Sequence, residues 1–318
     1  MHCRGGCMSG RNSSKAVIKS APLVLSPAFS VRQGFHAIVG NCLRQIQGNE
    51  AGVAHGKNPE SVHQMRVGVR RLRTALKLFG RWIPFPPRLQ SELDWLSRQL
   101  GCTRNWEVLS GTTLVRVSTE QPLVEPSLNQ LRQSAAQVAA RQRQRTAALM
   151  EAARYARFRG AITAWVVQVA SAESDSAMSG LLGPCAVQVL ARNHAKLLKR
   201  GKRLRAGDAQ SRHRLRIAAK KVRYAAEFFC SLYPERRMNA FIASLAALQE
   251  VLGRLNDAAV ADGLLDSLTK KCTALTESAV YVRSCLARDS KRDLHALDKV
   301  WRRFAKMKLP KPRKQASD

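Results

Sequence analysis

Two stretches of the chain align without a gap: residues 63–79, HQMRVGVRRLRTALKLF, and residues 213–229, HRLRIAAKKVRYAAEFF. His63 falls on His213, Arg66 on Arg216, Arg70 on Lys220, Arg73 on Arg223 and Phe79 on Phe229. Repetition of this kind marks an internal duplication, and each copy carries two helical stripes. His63, Arg66, Arg70, Arg73 and Lys77 are spaced 3, 4, 3 and 4 residues apart, which holds all five on one face of a 3.6-residue helix. Val62, Met65, Val69, Leu72, Leu76 and Phe79 form an apolar seam about a quarter-turn away, so the basic stripe borders the packed face. In the second copy Leu215, Ala219, Val222, Ala226 and Phe229 make the seam, His213, Arg216, Lys220 and Arg223 lie beside it, and Glu227 replaces Lys77.

The basic excess is general. Lys and Arg number 54 against 22 Asp and Glu, a formal charge of +32. Self-repulsion on that scale works against a compact state and calls for a polyanionic partner. Hydrophobic residues make up 45%, enough for a sizeable core in 318 residues. The eight cysteines contain no C-x-x-C pair and fall mostly among apolar neighbours, the pattern of free buried thiols in a reducing compartment. No run reaches the ~18 apolar residues of a membrane span, and residues 21–25 are too short for a signal sequence. The protein reads as cytoplasmic.

In chain order, residues 1–27 lack periodicity and read as a disordered basic leader. A first helix follows through Val31, Phe35, Ile38, Cys42 and Ile46, and Asn58-Pro59-Glu60 opens the motif helix with a cap, a preset φ and a favourable charge. Residues 161–170 are the most apolar segment and read as a core helix; the Ser-, Gly- and acid-rich residues 171–183 read as the link between halves. Arg192, Lys196, Lys199 and Arg203 form another one-sided basic face, Asp208 or Ser211 caps the second motif helix, and residues 306–318 read as a flexible basic tail. No alternating strand pattern occurs. The fold class is therefore all-α: two tandem, pseudo-symmetric four-helix bundles, residues 28–180 and 181–305, built from long antiparallel helices.

The paired motifs resemble those of the CHAD family, α-helical domains named for their histidines. Leu100-Gly101-Cys102-Thr103-Arg104-Asn105-Trp106-Glu107-Val108 is similar to the family's Leu-Gly-x-x-Arg-Asp-x-Asp-Val segment, and Leu252-Gly253-Arg254-Leu255-Asn256-Asp257 to its counterpart in the second half. Four motifs in the right order span about residues 28–305. Asn105 and Glu107 stand where the family usually has aspartates.

The resemblance implies binding of inorganic polyphosphate in a basic channel and association with polyphosphate granules. The stripes supply suitable chemistry, because a planar guanidinium grips phosphate oxygens in pairs and an imidazole donates to them. The residues expected to carry the binding are His63, Arg66, Arg70, Arg73, Lys77, Arg192, Lys196, Lys199, Arg203, His213, Arg216, Lys220 and Arg223. Six per cent aromatics and no RNP-like motif give little to stack bases on. Nucleic acid, engaged above all by the tail, is the alternative partner, and a scaffold for acidic proteins is a third reading.

Catalysis, a cofactor and a metal are not expected. Residues 52–58, GVAHGKN, are one residue short of a phosphate loop and lack its Ser or Thr. There is no H-E-x-x-H, and Asp257 reads as structural or as orienting an arginine.

Overall fold

The computed structural model describes residues 17–56, 58–120, 125–171, 178–205 and 207–313. Among these no strand forms. The long helices are α1 (Val31–Gln47), α3 (Pro59–Phe79), α4 (Pro87–Val108), α6 (Glu125–Glu151), α7 (Ala153–Ser171), α8 (Leu182–Lys202), α9 (Ala209–Phe228), α10 (Glu235–Thr269) and α11 (Thr276–Ala305), with the short α2 (Glu50–Ala54) and α5 (Leu114–Glu120). None is long and apolar enough to cross a membrane.

The two motif helices begin as their sequences dictate. Asn58 caps α3, its side chain accepting from the Glu60 amide, with Pro59 in the first turn. Asp208, rather than Ser211, caps α9 and accepts from the amides of Gln210 and Ser211. Both apolar seams are buried: Met65, Val69, Leu72 and Phe79 on α3, and Leu215, Ala219, Val222 and Phe229 on α9, have no exposed surface. The equivalent phenylalanines at the two helix ends, Phe79 and Phe229, meet with ring centroids 6.3 Å apart.

That meeting point lies inside a core the halves share. One hydrophobic cluster runs from Val31 through both seams to Leu255 and Phe304. A second joins Trp106, Leu109 and Leu114 of the first half to Leu265, Leu275 and Val282 of the second. The halves thus pack as one body, with α3 against α1 and α4 on one side and against α9 on the other.

Three expectations change. Residues 17–27, expected to be disordered, lie extended on the helices: Leu25 is buried, its amide donates to Ser231 Oγ at 2.9 Å, and Asn41 donates to the Ala21 carbonyl. One well-placed leucine and an unpaired backbone suffice for docking, and neither produces a periodic signal. Residues 306–313 of the tail dock likewise, with Pro310 buried and Arg313 donating to the carbonyls of Leu232 and Tyr233. Residues 1–16 and 314–318 lie outside the described residues. Helix α7 is no core helix: it buries only the stripe Tyr155, Phe158, Ile162 and Val166 and leaves Val167 exposed. Its apolar composition reflects alanines and valines on an outer face. Among the described residues six cysteines are unpaired, and Cys42, Cys185 and Cys285 are buried.

The starts of α1 and α8 hold the halves together. An isolated antiparallel bridge joins Ser30 to Leu181, with Leu182 N–H donating to the Phe29 carbonyl at 2.7 Å. Leu182, fully buried, presses on Gly34, where an added Cβ would stand 2.5 Å from it. Gly34→Val should therefore lower stability by about 1–3 kcal/mol through overpacking. Gly160→Ala on the open face of α7, where nothing lies within contact distance, should raise it by about 0.5–1 kcal/mol. Denaturant titration of both variants checks the pair.

Candidate functional site

Burying the two seams sets the basic stripes of α3 and α9 toward a common cleft. Its centre, of about 160 Å³, is lined by His63, Arg66 and Arg70 of α3, Arg216 of α9, Arg104 and Asn105 of α4, and Asn256 and Asp257 of α10. The four motifs separated in sequence converge here. Helix α4 reaches the cleft and passes into α5 through a single π-helical turn, Leu109–Thr113, whose two ends also form its wall. Such turns widen a helix locally and recur at functional sites.

A larger cavity of about 500 Å³ adjoins the centre through His63 and Arg70 and is lined further by Lys19, Arg71, Lys220, Arg223 and Glu227. On the other side a third, of about 580 Å³, shares Val108, Thr113 and Asp257 with the centre. The second and third share no residue, so the narrow cationic compartment stands between them.

The electrostatics are those of crowded cations. Among the described residues Arg66 reaches only neutral acceptors, Asn105 Oδ1 at 3.4 Å and the Gly101 carbonyl at 3.5 Å. Among the described residues none of Arg66, Arg70, Arg216 and Lys220 makes a salt bridge. The Nε atoms of Arg70 and Arg216 are buried and make no hydrogen bond. Burial, and then the charges of Arg70, Arg216 and Arg66, depress the Lys220 pKa from 10.5 to about 6. Burial and the positive charges of Arg70 and Arg216 lower Arg66 to about 10, with Asp257 acting against them. Burial likewise lowers Arg216, again opposed by Asp257, and lowers His63 with help from Arg104. Among the described residues Asp257 is the one carboxylate of the central compartment, where its charge opposes the lowering of Arg66 and Arg216 without a salt bridge to either.

The expected site residues separate into groups. His63, Arg66, Arg70, Arg216 and Lys220 come together. Arg73 turns away to Asp94, at 2.7 Å, and Ser97. Arg223 lines the second cavity but is held by Glu227 at 2.7 Å and by Gln249. Lys77, Arg192 and Lys196 surround Lys221 instead: burial, then these three cations and Arg200, lower the Lys221 pKa. Lys199 and Arg203 are exposed near and just past the end of α8, and His213 is exposed and lines none of the three cavities.

Sequence reasoning missed Arg71, Lys19, Arg200 and Lys221. Arg71 is buried, donates to Asn41 at 3.2 Å and Glu227 at 3.1 Å, and lies over the Phe228 ring. Its signal was the Arg70-Arg71 doublet, with the second arginine at the edge of the seam. Glu227, which breaks the second stripe, is thereby explained: it joins Arg71 of one half to Arg223 of the other. Glu107 is buried against Arg104, and burial raises its pKa, with Arg104 opposing. Among the described residues no group of His, Cys, Asp and Glu is placed to hold a metal ion.

Residues 37–266 match the family model described as the CHAD domain. The crystal structure of the CHAD domain from the plant Ricinus communis is similar to this chain with a TM-score of 0.84 and 36% identity, over 94% of this chain and 99% of that one. PptA from Streptomyces chartreusis is similar with a TM-score of 0.63 and 15% identity, over 87% of this chain and 99% of that one, a likeness of fold alone. No curated protein matches the chain.

The crowding predicts the effect of one substitution. Asn105→Asp places a carboxylate beside Arg66 among uncompensated guanidinium groups, and should raise stability by about 1 kcal/mol. It should also reduce the stabilisation that added salt gives the wild type, because less repulsion remains to be screened. Melting midpoints over a salt series measure both.

Proposed function

The chain belongs to the CHAD domain family, and from that premise we propose that it binds inorganic polyphosphate, without chemistry, along the cationic compartments between α3 and α9. The observation that carries the reading is the convergence of Arg66, Arg70, Arg216 and Lys220 without salt-bridging carboxylates, beside His63, in a narrow cleft. A linear phosphate chain offers closely spaced oxygens and no bases, which fits a central compartment of about 160 Å³ and its guanidinium donors. The cluster around Lys221 with Lys77, Arg192 and Lys196 offers further contacts outside the cleft. Binding of this kind would hold the protein on cytoplasmic polyphosphate granules.

Competition with a nucleic acid duplex tests the partner. Polyphosphate should displace a labelled duplex at a much lower phosphate concentration than the reverse, and equal exchange would favour nucleic acid. Arg66→Glu with Arg216→Glu should weaken polyphosphate binding strongly at low salt and flatten the slope of log K against log salt, since fewer counterions are released. Helicity should persist in that variant, because both residues lie beside the seam and not in it.

Lys220 gives a pH test whose sign is fixed. In the free protein its pKa is about 6, so at neutral pH it is mostly uncharged. Bound phosphates raise that pKa, so binding takes up a proton between about pH 6 and the higher bound value. Affinity for long chains should therefore fall as pH rises from about 6 to about 8 and level off below. Lys220→Met should flatten this dependence at reduced affinity, and Lys220→Arg should flatten it while raising affinity at pH 8. Calorimetry in buffers of different ionisation enthalpy reads the proton uptake directly.

A further inference from the structure

The three adjoining cavities differ in sign, not only in size. The central one sets Arg66, Arg70, Arg104 and Arg216 against the single carboxylate of Asp257. The second sets Lys19, Arg70, Arg71, Lys220 and Arg223 against Glu227 alone. In the third, Arg116, Arg254 and Arg292 face Asp257, Asp289 and Asp293, three cations against three carboxylates.

Those charges are also bonded to one another. Arg116 pairs with Asp289 at 2.8 Å, Arg254 with Asp293 at 2.7 Å, and Arg292 donates to Asp289. Both aspartates are largely covered, with side chains 16% and 15% exposed, so solvent screens them only partly. Burial alone would raise the Asp289 carboxyl, but the hydrogen bonds and charges of Arg292 and Arg116 hold it below its ordinary value. A polyanion leaving the central compartment on this side passes Asp257 and then meets two fixed negative charges whose arginine partners are already engaged. Each phosphate placed there must displace an ion pair or lie against a carboxylate, whereas on the Lys220 side Arg70 and Lys220 make no salt bridge among the described residues.

Resting on the polyphosphate reading above, we propose that Asp289 and Asp293 close the third cavity to anions and so set the length of polyphosphate chain the site accommodates. The chain lies across the second and central compartments and stops near Asp257. Asp289 and Asp293 are specificity-determining residues that act by repulsion, the form of discrimination built against the longer ligand.

A length series of polyphosphates, from tripolyphosphate to chains of many tens of units, titrated into the full chain and into Asp289→Asn/Asp293→Asn, tests the proposal. In the wild type, affinity should rise with length and then level off. In the double variant it should keep rising to longer chains, with a steeper salt slope for the longest ones because more phosphates are contacted, while tripolyphosphate affinity stays the same. A uniform gain at every length would show only added net charge and would overturn the proposal. An unchanged levelling length would do the same. Should the double variant be less stable, Arg116→Gln/Asp289→Asn removes both members of one pair and should shift the levelling length in the same direction, by less; no shift there counts against the proposal as well. Wild type that ignores polyphosphate of every length would instead remove the functional reading on which the proposal stands.

Discussion

The structure turns on the contact between α3 and α9, where an apolar seam and a basic stripe run side by side on each helix. Burying the seams is favourable in proportion to the apolar area removed from water. The stripes are one residue out of phase with the seams, so the same burial draws the guanidinium groups of Arg66, Arg70 and Arg216 into partial desolvation near one another. Core formation therefore costs electrostatic energy at this place, and the lowered pKa values of Arg66, Arg216 and Lys220 express that cost. Everything that tempers it is local. Asp257 faces the central compartment, Arg71 is satisfied by Asn41 and Glu227, and Arg73 is led away to Asp94.

Much of this was legible in sequence because helical periodicity reports burial directly. The seam positions read from spacing are the buried ones, Asn58 caps α3, and the all-α class follows from the absence of alternating segments. What stayed hidden depends on partners far along the chain. Spacing places Arg66 and Arg73 on one stripe, but only the packing of α4 decides that Arg73 meets Asp94 while Arg66 meets the neutral Asn105. Lys19 and the docked residues 17–27 carry no period, and their attachment rests on single contacts such as Leu25 and Asn41. Alternation and helical moment describe one element at a time, so neither can show that the two halves share a core.

The two motif copies have equivalent positions but different roles. His63 enters the cleft while His213 is exposed; Asn105 stands where the matching residue of the second half is Asp257; Lys77 is matched by Glu227, which ties the halves through Arg71 and Arg223. Each difference moves charge. The first-half wall loses a carboxylate at Asn105, while the Glu227 side gains one where it joins two arginines. The result is a passage that is most cationic at its narrow centre and toward Lys220, and balanced beyond Asp257.

The pairing of Arg70 with Lys220 is the difference with the clearest physical consequence. An arginine stays protonated under almost any burial, whereas a lysine can shed its proton when desolvated among like charges. Equivalent arginines at both positions would hold another permanent charge beside Arg66 and Arg216, with no salt bridge to any of them. With lysine at 220 the cleft relaxes by losing one charge, since its pKa of about 6 leaves it mostly neutral at physiological pH. An anion beside Lys220 would favour the charged form by supplying the compensation that the fold does not. One copy of the motif thus carries at this position an arginine whose charge burial does not remove, and the other a lysine that burial neutralises, so the two seams can be buried together with less repulsion in the cleft.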